Sequence, residues 1–176
     1  MVVILMGVAG SGKTTVGHRL AEELGWPFCE GDDLHPAANV AKMARGEPLT
    51  DEDRRPWLEA LRARIAATLD GGGDLVVACS ALKAAYRRTL AVDAARVRFV
   101  YLALDPAVAA LRVARRQGHF MKASMVDSQF AALETPTPAE ALTVDAAAPL
   151  DAVVARIRAG LSAAPLPPDL VGRDGD

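Results

Sequence analysis

Apolar side chains fall along this chain in two rhythms. Val2-Val3-Ile4-Leu5-Met6 is an unbroken β-branched and aliphatic run, the pattern of a parallel strand buried on both faces. Residues 75–79 repeat it, residues 97–104 read as the next strand, and Phe28-Cys29-Glu30 and residues 141–144 read as shorter ones. Between these runs the spacing changes to three and four. Val16, Leu20 and Leu24 stripe a helix over residues 14–24, which Gly25 and Pro27 end. His35-Pro36 opens a helix through Ala44, and Gly46 closes it. The next helix turns Trp57, Leu58, Leu61, Ile65 and Leu69 inward. Proline belongs in a first helical turn, so Pro56 sets the expected start of this helix near residues 51–53. Further helices are predicted over residues 82–90, 106–116, 125–133 and 149–161. Residues 117–124 are polar, and the Pro-rich stretch 165–176 reads as a loose tail.

Alternating strands and helices predict an α/β fold: a parallel five-stranded sheet flanked by helices and joined by right-handed crossovers. The pattern contains no repeat and no second core, so residues 1–164 are expected to form one domain. Ligands of such sheets bind outside the carboxyl ends of the strands. Residues 7–14, 32–33 and 80–83 each follow a strand, and should therefore meet on one rim.

The bulk composition narrows the classes of partner. With 176 residues, 51% of them hydrophobic and 24% charged, the chain has the size and composition of a globular domain. A formal charge of -2 gives no electrostatic reason to expect nucleic acid or an anionic membrane surface. The apolar start lacks a basic n-region and breaks at Gly7, so it is not read as a signal peptide. No run approaches the ~18 apolar residues of a membrane span. Cys29 and Cys79 each lie in a short apolar run, as buried thiols do in a reducing compartment. The expectation is a soluble cytoplasmic protein with neither membrane nor nucleic acid as partner.

Chemistry enters at GVAGSGKT, residues 7 to 14. Gly7, Gly12, Lys13 and Thr14 match G-x-x-x-x-G-K-[ST], with a strand before and a helix after. Glycines let the backbone fold into a nest of N–H groups around phosphate oxygens. Lys13 suits the β- and γ-phosphates, Thr14 suits Mg²⁺, and the helix N-terminus faces the same anion. The bland alternative, a glycine-rich turn with a surface lysine, would not require all of these residues in this context. The candidate ATP contacts are Gly7, Gly10, Ser11, Gly12, Lys13, Thr14 and Thr15, with Arg112 and Arg116.

The strand over residues 75–79 ends in Cys-Ser, with no aspartate to share the metal. Asp32-Asp33 is the expected source of a carboxylate, with Asp32 beside Thr14 at the metal and also set to orient an acceptor hydroxyl or take its proton. Arg112, Arg115 and Arg116 precede Gly118-His119. They fit a lid over residues 116–124 that closes on the phosphates, although a solvated helix end would also carry arginines.

Several further stretches are similar to the gluconokinases among the small P-loop kinases. They are Gly31-Asp32-Asp33-Leu34-His35-Pro36, Asn39, Lys42-Met43, Gly46-Glu47-Pro48-Leu49, Asp51, Asp53-Arg54 and Pro56-Trp57-Leu58. Cys79-Ser80-Ala81-Leu82-Lys83, Tyr86-Arg87, Gly118-His119-Phe120-Met121, Ser128-Gln129-Phe130, Leu133-Glu134, Asp145 and Pro149 continue the match in order over about residues 3–155. The resemblance implies ATP-dependent phosphorylation of the 6-hydroxyl of D-gluconate by a cytoplasmic homodimer. It also implies a fold like that of shikimate kinases, with a lid and a helical substrate-binding region over residues 36–69. Gluconate needs cations for its carboxylate and polar groups for its hydroxyls. Arg54, Lys83 and Arg87 are the candidate cations, with Arg54 and Arg87 favoured, and Asp33, His35 and Gln129 complete the candidate set. Lys13, Asp32 and Arg116 are the candidate catalytic residues. The rival readings are a shikimate-like or other small-metabolite kinase, and a non-catalytic ATP-sensing module.

Overall fold

The computed structural model describes residues 1–115 and 123–163. Five strands form one parallel sheet: β1 (Val2–Met6), β2 (Phe28–Glu30), β3 (Leu75–Ala78), β4 (Val97–Ala103) and β5 (Ala141–Asp145). Their order across the sheet is β2-β3-β1-β4-β5. Around it lie α1 (Lys13–Leu24), α2 (Ala37–Ala44), α3 (Asp51–Asp70), α4 (Ala84–Leu90), α5 (Pro106–Arg115), α6 (Ala123–Ala132) and α7 (Leu150–Ala163). A 3-10 turn over Gly31–Leu34 follows β2.

The continuous apolar runs are explained by a core on each face of the sheet. In β1, Val3 and Leu5 point to one side, where they meet Val16 and Leu20 of α1, Val113 of α5 and Ile157 of α7. Val2, Ile4 and Met6 point to the other, against Trp57, Leu61 and Ile65 of α3 and Leu90 of α4. Period-two alternation thus sends every β1 residue into a core, and all five are fully buried. Burying each such side chain stabilises the fold by about 1.5–3 kcal/mol. β1 occupies the centre, with Val2 in register with Leu75 of β3 and with Val97 of β4. Its carboxyl end is therefore flanked by those of β3 and β4.

Helix α3 starts at Asp51, inside the expected 51–53, and the helix starts that differ from the sequence expectation do so by one or two residues. Pro56 is the sixth residue of α3, beyond the first turn. A capping box holds the helix start: Asp53 N donates to Thr50 Oγ1 at 3.1 Å, and Thr50 N donates to Asp53 Oδ2 at 2.7 Å. Glu52 and Pro56 both face solvent, so the Glu52 carbonyl deprived of a partner by Pro56 reaches water. Helix α4 starts at Ala84 rather than Leu82, because residues 80–83 form a loop in which Ala81 takes a φ of 41°. The expected tail over residues 165–176 lies outside the described residues, as does the expected lid apart from residues 123 and 124.

Candidate active site

The turn from β1 into α1 adopts positive φ at three glycines: 144° at Gly7, 82° at Gly10 and 86° at Gly12. At Gly10 a side chain is excluded by space as well, since a Cβ would lie 2.9 Å from the Ala109 carbonyl oxygen. Gly12 is the N-cap of α1 and offers no side-chain hydrogen bond. The first N–H groups of the helix therefore remain available to an external acceptor, which is the condition for an anion site. Lys13 Nζ curls back to the Gly7 and Val8 carbonyls at 3.0 Å each, placing the ammonium over the loop.

Thr14 Oγ1 donates to Glu30 Oε2 at 2.6 Å. Sequence reasoning had looked to Asp32 as the carboxylate beside Thr14, and did not single out Glu30. The signal for Glu30 was its place as the last residue of β2, the one charged group of an otherwise apolar short strand. Asp32 lies two residues further on, exposed in the 3-10 turn that leaves the same strand end. Both groups converge on β3. Burial pushes the Cys79 thiol up to about 12, and that thiol also feels the charges of Asp32, Lys13 and Glu30. Gly7 N donates to Ser80 O at 3.2 Å, tying the phosphate loop to the loop after β3. The three segments expected on one rim are on it.

Helices α2 and α3 build the wall beyond Asp32. Trp57 is buried and donates Nε1–H to Gly31 O at 2.7 Å, fixing the 3-10 turn to α3. Its ring stacks on His35, with centroids 4.4 Å apart and planes 9° apart. Burial lowers the His35 pKa, Asp32 pulls it back up, and Arg54 lowers it further. His35, Asp32 and Arg54 therefore share one electrostatic neighbourhood. Asn39 Nδ2 lies 3.3 Å from His35 Nδ1 and donates to Asp53 O at 2.7 Å. Arg54 donates Nη1 to Leu49 O and sits 6.0 Å from the Tyr86 ring centroid. Lys83 grips Asp51 through both carboxylate oxygens, at 2.7 and 2.8 Å, and Tyr86 donates its hydroxyl to the same carboxylate. Asp51 and Tyr86 were not among the expected site residues, although they join α3 to α4 at this rim. Asp33 is exposed beside Asp32.

Two expected substrate contacts are placed differently. Arg87 is only 4% exposed. Its Nη1 donates to the carbonyls of Ala81, Leu82 and Glu134, and its Nη2 to Glu140 Oε1 at 3.2 Å. Its Nη1 braces the loop behind the rim, and its other edge is turned to Glu140 rather than to the Asp32 turn, which corrects its assignment as a grip on the acceptor's carboxylate. Gln129 faces the phosphate loop, where its Oε1 accepts from Ala9 N at 2.6 Å; it was expected on the polyol.

On the other side of the loop, a cavity of about 310 Å³ is lined by Gly10, Gly12 and Thr15, by Arg112, and by Ala148 and Leu150 after β5. Arg112 spans it, donating Nη1 to Gly10 O at 3.3 Å and to Ala146 O at 3.0 Å. Of the expected loop residues, Gly10, Ser11, Gly12 and Thr15 thus line one space with Arg112. The β5–α7 segment is an addition to them, and its small apolar residues gave no chemical signal. Arg116 lies outside the described residues.

Comparison with known proteins decides the family. Residues 2–136 match the AAA domain family model. The chain is 48% identical over 134 residues to a gluconokinase of Gluconobacter oxydans, covering 76% of this chain and 75% of that protein. It is 43% identical over 156 residues to the thermoresistant gluconokinase of Escherichia coli, covering 88% and 89%. The chain belongs to the gluconokinase family. The crystal structure of a gluconokinase from Sinorhizobium meliloti superimposes with a TM-score of 0.82 at 44% identity, covering 91% of this chain and 90% of that one. A shikimate kinase from Aquifex aeolicus superimposes at a TM-score of 0.57 with 18% identity over 92% and 96% of the chains, and so shares the fold. Among the described residues no helix is long and apolar enough to cross a membrane.

Proposed function

We propose that this enzyme transfers the γ-phosphoryl group of ATP to the 6-hydroxyl of D-gluconate, giving 6-phospho-D-gluconate and ADP. The observation that carries the reading is an uncapped phosphate loop sharing a rim with Asp32, His35 and Arg54, in a chain 43–48% identical to two gluconokinases. The nucleoside occupies the cavity spanned by Arg112, and the triphosphate lies along residues 10–15 with Lys13 on its terminal phosphates. Gluconate lies between the Asp32 turn and helices α2 and α3. Arg54 and Lys83 meet its carboxylate, while His35 and Asp33 bond its hydroxyls. Asp32 orients the 6-hydroxyl and accepts its proton as the oxygen attacks in line, so that positioning and electrostatics supply most of the rate.

The donors fit Mg²⁺. The Thr14 hydroxyl and the Glu30 carboxylate are hard oxygens in contact, with Asp32 beyond them. Among the described residues no group of three or more His, Cys, Asp or Glu could cage a metal, as suits an ion that keeps waters and shares phosphate oxygens. Thr14, Glu30 and Asp32 would hold it, and it would neutralise charge on the transferring group. Arg116 is assigned to the lid; Arg116→Ala is expected to lower kcat more than it weakens ATP binding. The enzyme is further proposed to work as a cytoplasmic homodimer, with residues 1–164 as one domain.

An ADP-release assay across D-gluconate, shikimate and nucleoside monophosphates tests the reading. ADP release that requires gluconate supports it. Preference for another acceptor favours the rival kinase, and ATP turnover indifferent to every acceptor favours a sensing module.

A further inference from the structure

Arginines gather at the end of the sheet opposite the phosphate loop. A cavity of about 570 Å³ opens at the amino ends of β4 and β5, with Arg87, Arg88, Arg98 and Glu140 on its wall and Phe99 and Leu142 among its apolar residues. Three cations face one carboxylate in a chain whose formal charge is -2. The Arg88 side chain has no hydrogen-bond or ion-pair partner among the described residues. Arg98 donates Nη1 to a neutral acceptor, Ala94 O, at 2.8 Å.

Arg87 adds a second, independent observation. A guanidinium takes a carboxylate or phosphate side-on through Nε and Nη2, with two parallel bonds. Here that edge has a contact only at Nη2, to Glu140 Oε1 at 3.2 Å, and Nε is buried with no acceptor. An unsatisfied N–H on a buried cation is costly. Glu140 can give up the position, because its side chain is 41% exposed and its other oxygen keeps two bonds of its own, from Thr137 N at 2.9 Å and Thr137 Oγ1 at 3.1 Å. An anion with adjacent oxygens could displace Glu140, bond Nε and Nη2 together, and reach Arg88 and Arg98. We propose that this cavity binds a phosphate-bearing small molecule, separate from the nucleotide and the acceptor.

The site has a physical route to the rim. The opposite nitrogen of the Arg87 guanidinium holds the Ala81 and Leu82 carbonyls, at 3.4 and 3.2 Å. These belong to the loop whose Ser80 carbonyl accepts from Gly7 of the phosphate loop. Two bonds in place of one on the cavity edge fix Arg87 more firmly, and the loop with it. Phosphate bound in the cavity is therefore expected to raise kcat at saturating ATP and gluconate, whereas phosphate on the nucleotide loop competes with ATP.

Calorimetric titration with inorganic phosphate, and separately with glucose 6-phosphate, tests the site in a Lys13→Ala background that weakens binding at the nucleotide loop. Adding Arg88→Ala and Arg98→Ala should weaken binding by about tenfold or more. Glu140→Gln should tighten it by about threefold, since it removes the competing carboxylate. Tighter binding of the sugar phosphate than of the free ion assigns the site to phosphate esters, and equal binding assigns it to phosphate. Binding indifferent to the two arginines overturns the site. With Lys13 intact, a kcat that phosphate raises equally in the enzyme with and without Arg88 and Arg98, or does not raise at all, overturns the link to the rim. The titration needs no gluconate, so its failure is distinguishable from failure of the kinase assignment.

Discussion

Arg87 does not take the role its residue type first suggests, and Glu30 takes one that no motif in the sequence singled out. An arginine after a strand reads as a carboxylate grip, yet Arg87 spends Nη1 on three main-chain carbonyls inside the protein. Those contacts depend on Glu134 returning to the same loop from 47 positions away, which no local spacing reveals. Arg87→Ala strands these buried carbonyls and is expected to cost about 2–4 kcal/mol of stability in chemical denaturation. A variant of unchanged stability whose only defect is a higher KM for gluconate would restore the grip reading. Glu30, the overlooked carboxylate, touches the Thr14 hydroxyl. Glu30→Gln is expected to raise the Mg²⁺ concentration for half-maximal rate by about tenfold, and an unchanged metal requirement would remove Glu30 from the metal site. His35 gives a pH signature. Burial lowers its pKa below the usual 6.5, so the unfolded chain binds this proton more readily than the folded one. Its contribution is complete above pH 6.5 and declines as pH falls below that value toward the folded pKa. His35→Gln should flatten the stability profile below pH 6.5, and a profile unaltered by the substitution would contradict this.

At the scale of elements, β1 and β3 were the most legible features, because burial on both faces leaves an unbroken apolar run. Helix starts were less so. Leu82 looked like the first turn of α4, but Ala81 is held at positive φ by a loop braced from behind. Pro56 pointed to a start near residues 51–53, which α3 keeps, and the capping box with the buried stripe from Trp57 to Leu69 outweighs the one hydrogen bond that Pro56 removes. Thr50→Ala removes half of that box and should lower stability by about 1 kcal/mol in denaturant melts. No measurable loss would mean that tertiary packing alone sets the start of α3.

Across the whole molecule, function was legible where chemistry and topology agree. Glycines, a lysine and a threonine between a strand and a helix define the donor half of the site, and the parallel order β2-β3-β1 carries the Asp32 turn to the same rim. The acceptor half was legible mainly through family resemblance, since its polar groups come from α2, α3 and the loop after β3 and share no local pattern. The cavity proposed for the nucleoside was half legible: its loop and Arg112 carry chemical signals, and Ala148 and Leu150 do not. The account therefore depends on Asp32 standing where the two halves meet. Its most direct test is the Asp32→Asn enzyme, with ATP binding measured by calorimetry and gluconate-dependent turnover by ADP release. ATP affinity within about twofold of the unaltered enzyme, with turnover lowered by at least about a hundredfold, is the predicted result; near-normal turnover would contradict it.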